Sequence, residues 1–121
     1  MKVHRTLGFG FLESVYGKAL TGELKLAGHG VEAEAPIKVW YDNQVVGDFY
    51  ADLVVDQSVI VELKAVERLA VAHEVQLVNY LTATNRDEGL LLNFGAERLE
   101  FKKKFRRNPA QKPQAHSVNS V

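Results

Sequence analysis

The chain has 121 residues, with 15 basic and 15 acidic side chains and a formal net charge of zero. That length suits one domain with a sizeable core, and the even balance argues against a broad electrostatic footprint for nucleic acid. There is no cysteine, which excludes disulfides and thiolate zinc sites, and no apolar run is long enough to cross a bilayer.

In chain order, Met1–Lys2–Val3–His4–Arg5 has no signal-peptide apolar segment after it, so a soluble cytoplasmic protein is the default expectation. Residues 1–10 are expected to lead into a glycine-punctuated turn, Leu7–Gly8–Phe9–Gly10. A helix then follows from about Leu12 to Ala27, ending before Gly28, where glycine suits the C-cap. At about 100° per residue, Leu12, Val15, Tyr16, Ala19, Leu20 and Leu24 share one face. Glu23 falls inside that face and Glu13 at its edge. A single acid there ordinarily caps, snorkels or pairs with a lysine; one beside a carboxylate-bearing sheet is more suggestive.

Val31–Tyr41 reads as a first strand, with Pro36 favouring an edge position. Asp42–Asn43 makes a tight turn, Gln44–Val55 a second strand, and Ser58–Ala65 a third, giving a three-stranded antiparallel meander. On the third strand Glu62 and Lys64 lie two residues apart, on the face that carries Ile60. Charges in so apolar a strand are costly unless paired or bound to metal. If Asp56–Gln57–Ser58 is a three-residue loop, Val55 faces Val59 and Asp52 lies opposite Glu62, with Cβ atoms about 5 Å apart. A two-residue loop would send the carboxylates to opposite faces. Opposed carboxylates repel unless a cation such as Mg²⁺ sits between them. The plain alternative is a solvated face that carries an Asp and a Glu, and the residues alone leave the two readings level.

From Arg68 to about Thr84 the period turns helical. Leu69, Ala72, His73, Gln76, Leu77, Tyr80 and Thr84 fall on one inward stripe. His73 alone reads as a hydrogen-bonded boundary residue, but three polar side chains on one stripe each need a partner and point to a polar cavity. Gly89–Gly95 is apolar without alternation, as in a strand covered on both faces. After a helical crossover it should run parallel to a strand of the meander. Leu99–Phe105 is expected as an edge strand blunted by lysines. The run Lys102–Arg107 suits solvent or phosphates. Residues 108–121, polar with two prolines, are read as a disordered tail, which leaves one domain over 1–107.

Helix, meander, helix, strand, with Asp52 on the second strand and Glu62-x-Lys64 on the third, resembles the PD-(D/E)XK nuclease superfamily. Gly10–Phe11–Leu12–Glu13–Ser14–Val15–Tyr16 matches the motif that names the GxxExxY family, and Val3–His4–Arg5, Leu7–Gly8, Val61–Glu67 and Asn93–Phe94–Gly95 resemble that family's other features. Gln76–Tyr80 is similar to the Q-x-x-x-Y helix signature of RecB-type nucleases. The set spans residues 3–105. Phe9 and Ala70 depart from it, standing where prolines are usual.

The resemblance implies a mixed α/β fold with a restriction-endonuclease-like core. It implies that Asp52 and Glu62 bind Mg²⁺ or Mn²⁺ with the backbone carbonyl of Leu63, and that Glu13 reaches the ion directly or through water. Lys64 would orient the attacking water, with Gln76 and Tyr80 holding the lysine, the phosphate or the ligands in place. Two functions follow as expectations. One is a metal-dependent nuclease acting on phosphodiesters, DNA foremost. The other is a non-catalytic module of the same fold that binds nucleic acid or a protein partner. Small size and neutral charge also leave room for a homodimer.

Overall fold

The structure, a computed structural model, describes residues 1–106; the tail expected over 108–121 lies outside the described residues. The elements are α1 (Lys2–Leu7), α2 (Glu13–Leu26), β1 (Val31–Tyr41), β2 (Gln44–Val55), β3 (Val59–Lys64), α3 (Val71–Thr84), β4 (Glu88–Asn93) and β5 (Glu100–Phe105). The strands form one sheet in the order β1-β2-β3-β4-β5. β3 and β4 pair parallel, joined through α3, and the other neighbours pair antiparallel.

Alternation along the strands divides the core in two. Val61, Leu63, Leu92 and Phe94 pack with Tyr16 and Leu20 of α2. Ile60, Val54 and Leu91 pack on the other face with Leu77, Tyr80 and Leu81 of α3. The apolar run of β4 is therefore covered on both sides, and its neighbour β5 is the far edge. Pro36 sits on the opposite edge strand, β1, across from Tyr50, where its missing N–H leaves no interior ladder bond unmade. The β1–β2 turn holds Asp42 and Asn43 at φ 47° and 63°, the left-handed pair that a tight hairpin needs and that Asp and Asn tolerate.

Three local expectations are corrected. Residues 2–7 form a short helix rather than open chain, because Val3 packs beside Tyr16 and Phe94 and His4 Nε2 bonds the carbonyl of Ala96 at 3.0 Å. A six-residue helix owes its stability to such packing, and its period is too short to read in sequence. Leu12, 76% exposed, stands just before α2 rather than on its buried face, and Val15 also faces solvent; within α2 only Tyr16 and Leu20 are buried. Last, α3 begins at Val71 rather than Arg68. There His73 Nδ1 accepts the N–H of Ala70 at 3.0 Å, so this histidine caps its own helix instead of bordering a cavity.

Candidate active site

The β2–β3 hairpin has the three-residue loop Asp56–Gln57–Ser58, with Val55 opposite Val59, Val54 opposite Ile60 and Leu53 opposite Val61. The same register sets Asp52 opposite Glu62. Backbone pairing stops one residue short of them, and side chains take over. Leu63 N–H donates to Asp52 Oδ2 at 2.7 Å, and Asp52 N–H donates to Glu62 Oε2 at 3.4 Å. The two carboxyl groups thus occupy the seam between the strands.

Glu62 is only 5% exposed. Burial pushes its carboxyl up to about 9, helped by the hydrogen bond and charge of the Asp52 carboxyl; Asp52 N–H and Lys64 oppose this more weakly. Two carboxyls so confined repel unless something positive comes between them. The side chains that meet here present carboxylate oxygens, one acid from each strand, and oxygen donors of this kind fit a hard divalent ion keeping several waters.

Lys64 ends β3 opposite Asn93, half-buried, with its carbonyl accepting Phe94 N–H at 2.8 Å. Tyr80 of α3 is buried on the same side of the sheet. Its hydroxyl accepts from Gln76 Nε2 at 3.2 Å and is shifted up by burial first and then by Glu62 and Asp52. Gln76 itself is exposed, so the inward stripe of three polar side chains reduces to Tyr80 with Gln76 at its rim.

Glu13 opens α2 and is exposed. With Lys18, Glu34, Asp52 and Leu63 it lines a cleft of about 460 Å³. Among the described residues, however, no three His, Asp or Glu side chains gather closely enough to hold one metal ion. Glu13 therefore stands at the cleft rim, apart from the Asp52–Glu62 pair. Direct ligation by a third carboxylate is not the arrangement seen. The packing of Tyr16 and Leu20 sets α2 at this distance.

Two supports steady the surroundings. Tyr16 stacks on Phe94 with ring centroids 4.5 Å apart. Its hydroxyl donates to the carbonyl of Gly8 at 2.7 Å and accepts Phe11 N–H at 3.2 Å. That ties down the loop before Glu13, in which Gly10 adopts φ 113°, a conformation that favours glycine. Asn93, fully buried, accepts the N–H groups of Val66 and Gly95 at 3.0 Å each and donates to Glu100 Oε1 at 2.7 Å. It thereby holds the chain that leaves Lys64.

A further acid, Glu34, lines the same cleft as Glu13. It lies on β1 at φ 52°, between the pairs Ala33–Leu53 and Ala35–Ala51, and so across from Asp52. Nothing in Ala33–Glu34–Ala35 signals a left-handed residue inside a strand. The basic run is also less free than its composition implies. Lys103 meets Glu88 at 3.4 Å, Lys104 meets Glu74 at 3.0 Å and Arg106 meets Asp87 at 2.9 Å.

No curated protein matches this sequence. Among solved structures, the chain is similar to that titled "Crystal structure of SSO0001", with a TM-score of 0.64 and 18% identity. The match covers 80% of this chain and 51% of that one, so this chain spans about half the length of that relative, and the likeness speaks for the fold. No helix is long and apolar enough to cross a membrane among the described residues. The sequence profile of the PD-(D/E)XK nuclease superfamily matches residues 1–107, and the mixed five-stranded sheet with its flanking helices is that superfamily's restriction-endonuclease-like fold. The chain belongs to the PD-(D/E)XK nuclease superfamily.

Proposed function

We propose that the protein is a metal-dependent nuclease that hydrolyses phosphodiester bonds in DNA. The observation that carries this is the meeting of Asp52 and Glu62 in one buried seam, with Lys64 two residues further along the same strand. Asp52 and Glu62, with the Leu63 carbonyl, would hold Mg²⁺ or Mn²⁺, and Glu13 would reach it through water. Such an ion supplies a water of lowered pKa and offsets charge growing on the phosphate.

The chain's own groups do the rest. Lys64 orients the attacking water and stabilises the oxyanion as the phosphorus becomes five-coordinate. Gln76 and Tyr80 steady the scissile phosphate from the α3 side. Gly10, Glu13 and Tyr16 support the narrower assignment to the GxxExxY family, since the glycine shapes and the tyrosine ties the loop that presents the acid. The working place is taken to be the cytoplasm, where a chain without cysteine gives up no structural disulfide.

The test is direct. Purified protein is incubated with single- and double-stranded DNA and Mn²⁺, beside Glu62→Ala and Lys64→Ala. Cleavage by the wild type that disappears in both variants supports the enzyme. Binding of DNA with no cleavage by any of the three sinks it. A second reading, a non-catalytic module working with a protein partner or as a homodimer, is favoured by one observation: three residues of the basic run are engaged with the chain's own acids.

A further inference from the structure

Between the outer end of the β1–β2 hairpin and α3 runs a groove of about 740 Å³, whose walls include Trp40, Phe49, Val75, Gln76, Asn79 and Tyr80. Two large rings there remain in solvent, Trp40 at 61% and Phe49 at 43% exposure. The hairpin is shaped around them. Val39 pairs with Gly47 but Trp40 with Val45, a bulge that re-aims the strand at the tryptophan. A Cβ on Gly47 would lie 2.7 Å from the Phe49 ring, so the glycine leaves that ring its room. At the inner end, the Phe49 and Tyr80 rings stand 5.7 Å apart. Tyr80 packs with Ile60 and Val54, on the face of the sheet that Glu62 and Asp52 share by strand alternation, so the groove opens on the same side as the candidate active site.

We propose, on the basis of the hydrolytic function above, that this groove seats an unstacked base of a single DNA strand whose backbone passes Asp52 and Glu62. Ring faces alone would suit many apolar partners. Here they are combined with the side-chain amides of Gln76 and Asn79, which donate and accept as base edges require, and with a place on the same face of the sheet as the Asp52–Glu62 pair. The neutral chain carries little surplus charge for gripping phosphates. Stacking on aromatic rings supplies affinity without that charge, and it needs bases freed from a duplex. The substrate class is therefore single-stranded DNA or a frayed end rather than intact duplex.

Trp40 is the only tryptophan, so its fluorescence reports on the groove alone. The full chain in Ca²⁺ is titrated with a thymidine 12-mer and with a blunt duplex of equal length, and cleavage in Mn²⁺ is measured in parallel. The expected result is quenching by the single strand and little by the duplex, with Phe49→Ala weakening single-strand affinity about tenfold while its thermal unfolding stays cooperative. Trp40→Phe, followed by anisotropy of a labelled 12-mer, should keep most of the affinity because a ring remains. Equal response to both DNAs, or unchanged affinity in Phe49→Ala, overturns the proposal. So does a concentration-dependent blue shift without DNA, which would mark a second copy in the groove. Duplex cleavage without single-strand quenching would overturn this groove and leave the nuclease standing. Quenching in a protein that cleaves nothing would support the groove and sink the hydrolytic function.

Discussion

Asp52 and Glu62 bridge their two strands with side chains where the backbone ladder ends: the Asp52 carboxylate takes Leu63 N–H at 2.7 Å, and Glu62 takes Asp52 N–H at 3.4 Å. The seam is thus built from acids, and its stability depends on how their charge is neutralised.

A pH dependence follows. The Glu62 carboxyl is raised to about 9 from an ordinary 4.5, chiefly by burial. Between those values the folded chain holds a proton that the unfolded chain releases, so stability is fullest below the lower value and falls as pH rises toward the upper one. Thermal unfolding in EDTA should show the midpoint dropping from pH 5.5 to pH 8.5. Added Mn²⁺ at pH 8 should restore it by binding the folded state. Glu62→Gln should flatten both responses, and a wild-type midpoint that is level or rises over this range contradicts the buried pair.

Tyr80 has a packing role and a polar role that two substitutions separate. Tyr80→Phe keeps the ring against Phe49 and removes only the bond from Gln76, so it should cost about 1 kcal/mol or less while lowering cleavage about tenfold. Tyr80→Ala should cost about 3 kcal/mol through the cavity it leaves. Denaturant melts alongside initial cleavage rates decide the matter. Equal rates for wild type and Tyr80→Phe would remove the hydroxyl from any part in the reaction.

Asn93 and Gly95 secure the segment beyond Lys64. Asn93→Ala abandons the N–H groups of Val66 and Gly95 and frees Glu100, which should cost about 3 kcal/mol. A Cβ on Gly95 would lie 2.4 Å from both N and O of Val66, and since backbone cannot yield easily, Gly95→Ala should lose about as much. Urea unfolding measures both. A Gly95→Ala protein as stable as wild type would mean that this close approach is absent in solution.

Tyr16→Phe keeps the stack on Phe94 but releases the Gly8 carbonyl and Phe11 N–H. Stability should fall by about 1–2 kcal/mol, and the Phe11 amide should exchange faster with solvent. Unchanged exchange at Phe11 would show that the loop before Glu13 is held by something else.

Much of the architecture was legible along the chain because it depends on short-range parity. A strand alternates every second residue, so a three-residue loop by itself puts Asp52 across from Glu62, and unbroken apolar residues in Gly89–Leu92 call for cover on both faces. Pro36 named its own edge by lacking an N–H. The other features escape that parity. Whether Glu13 joins the acids depends on how closely α2 packs on the sheet through Tyr16 and Leu20, and His73 went to the cap of α3 because Ala70, not Arg68, precedes the first turn. Glu34 turns left-handed within β1, and Trp40 and Phe49 wall a groove against α3, through a bulge and a helix contact. The place of Glu13 and the wall that α3 gives the groove depend on packing between segments dozens of residues apart, whereas the His73 cap and the hairpin bulge are short-range features that hydrophobic periodicity does not report.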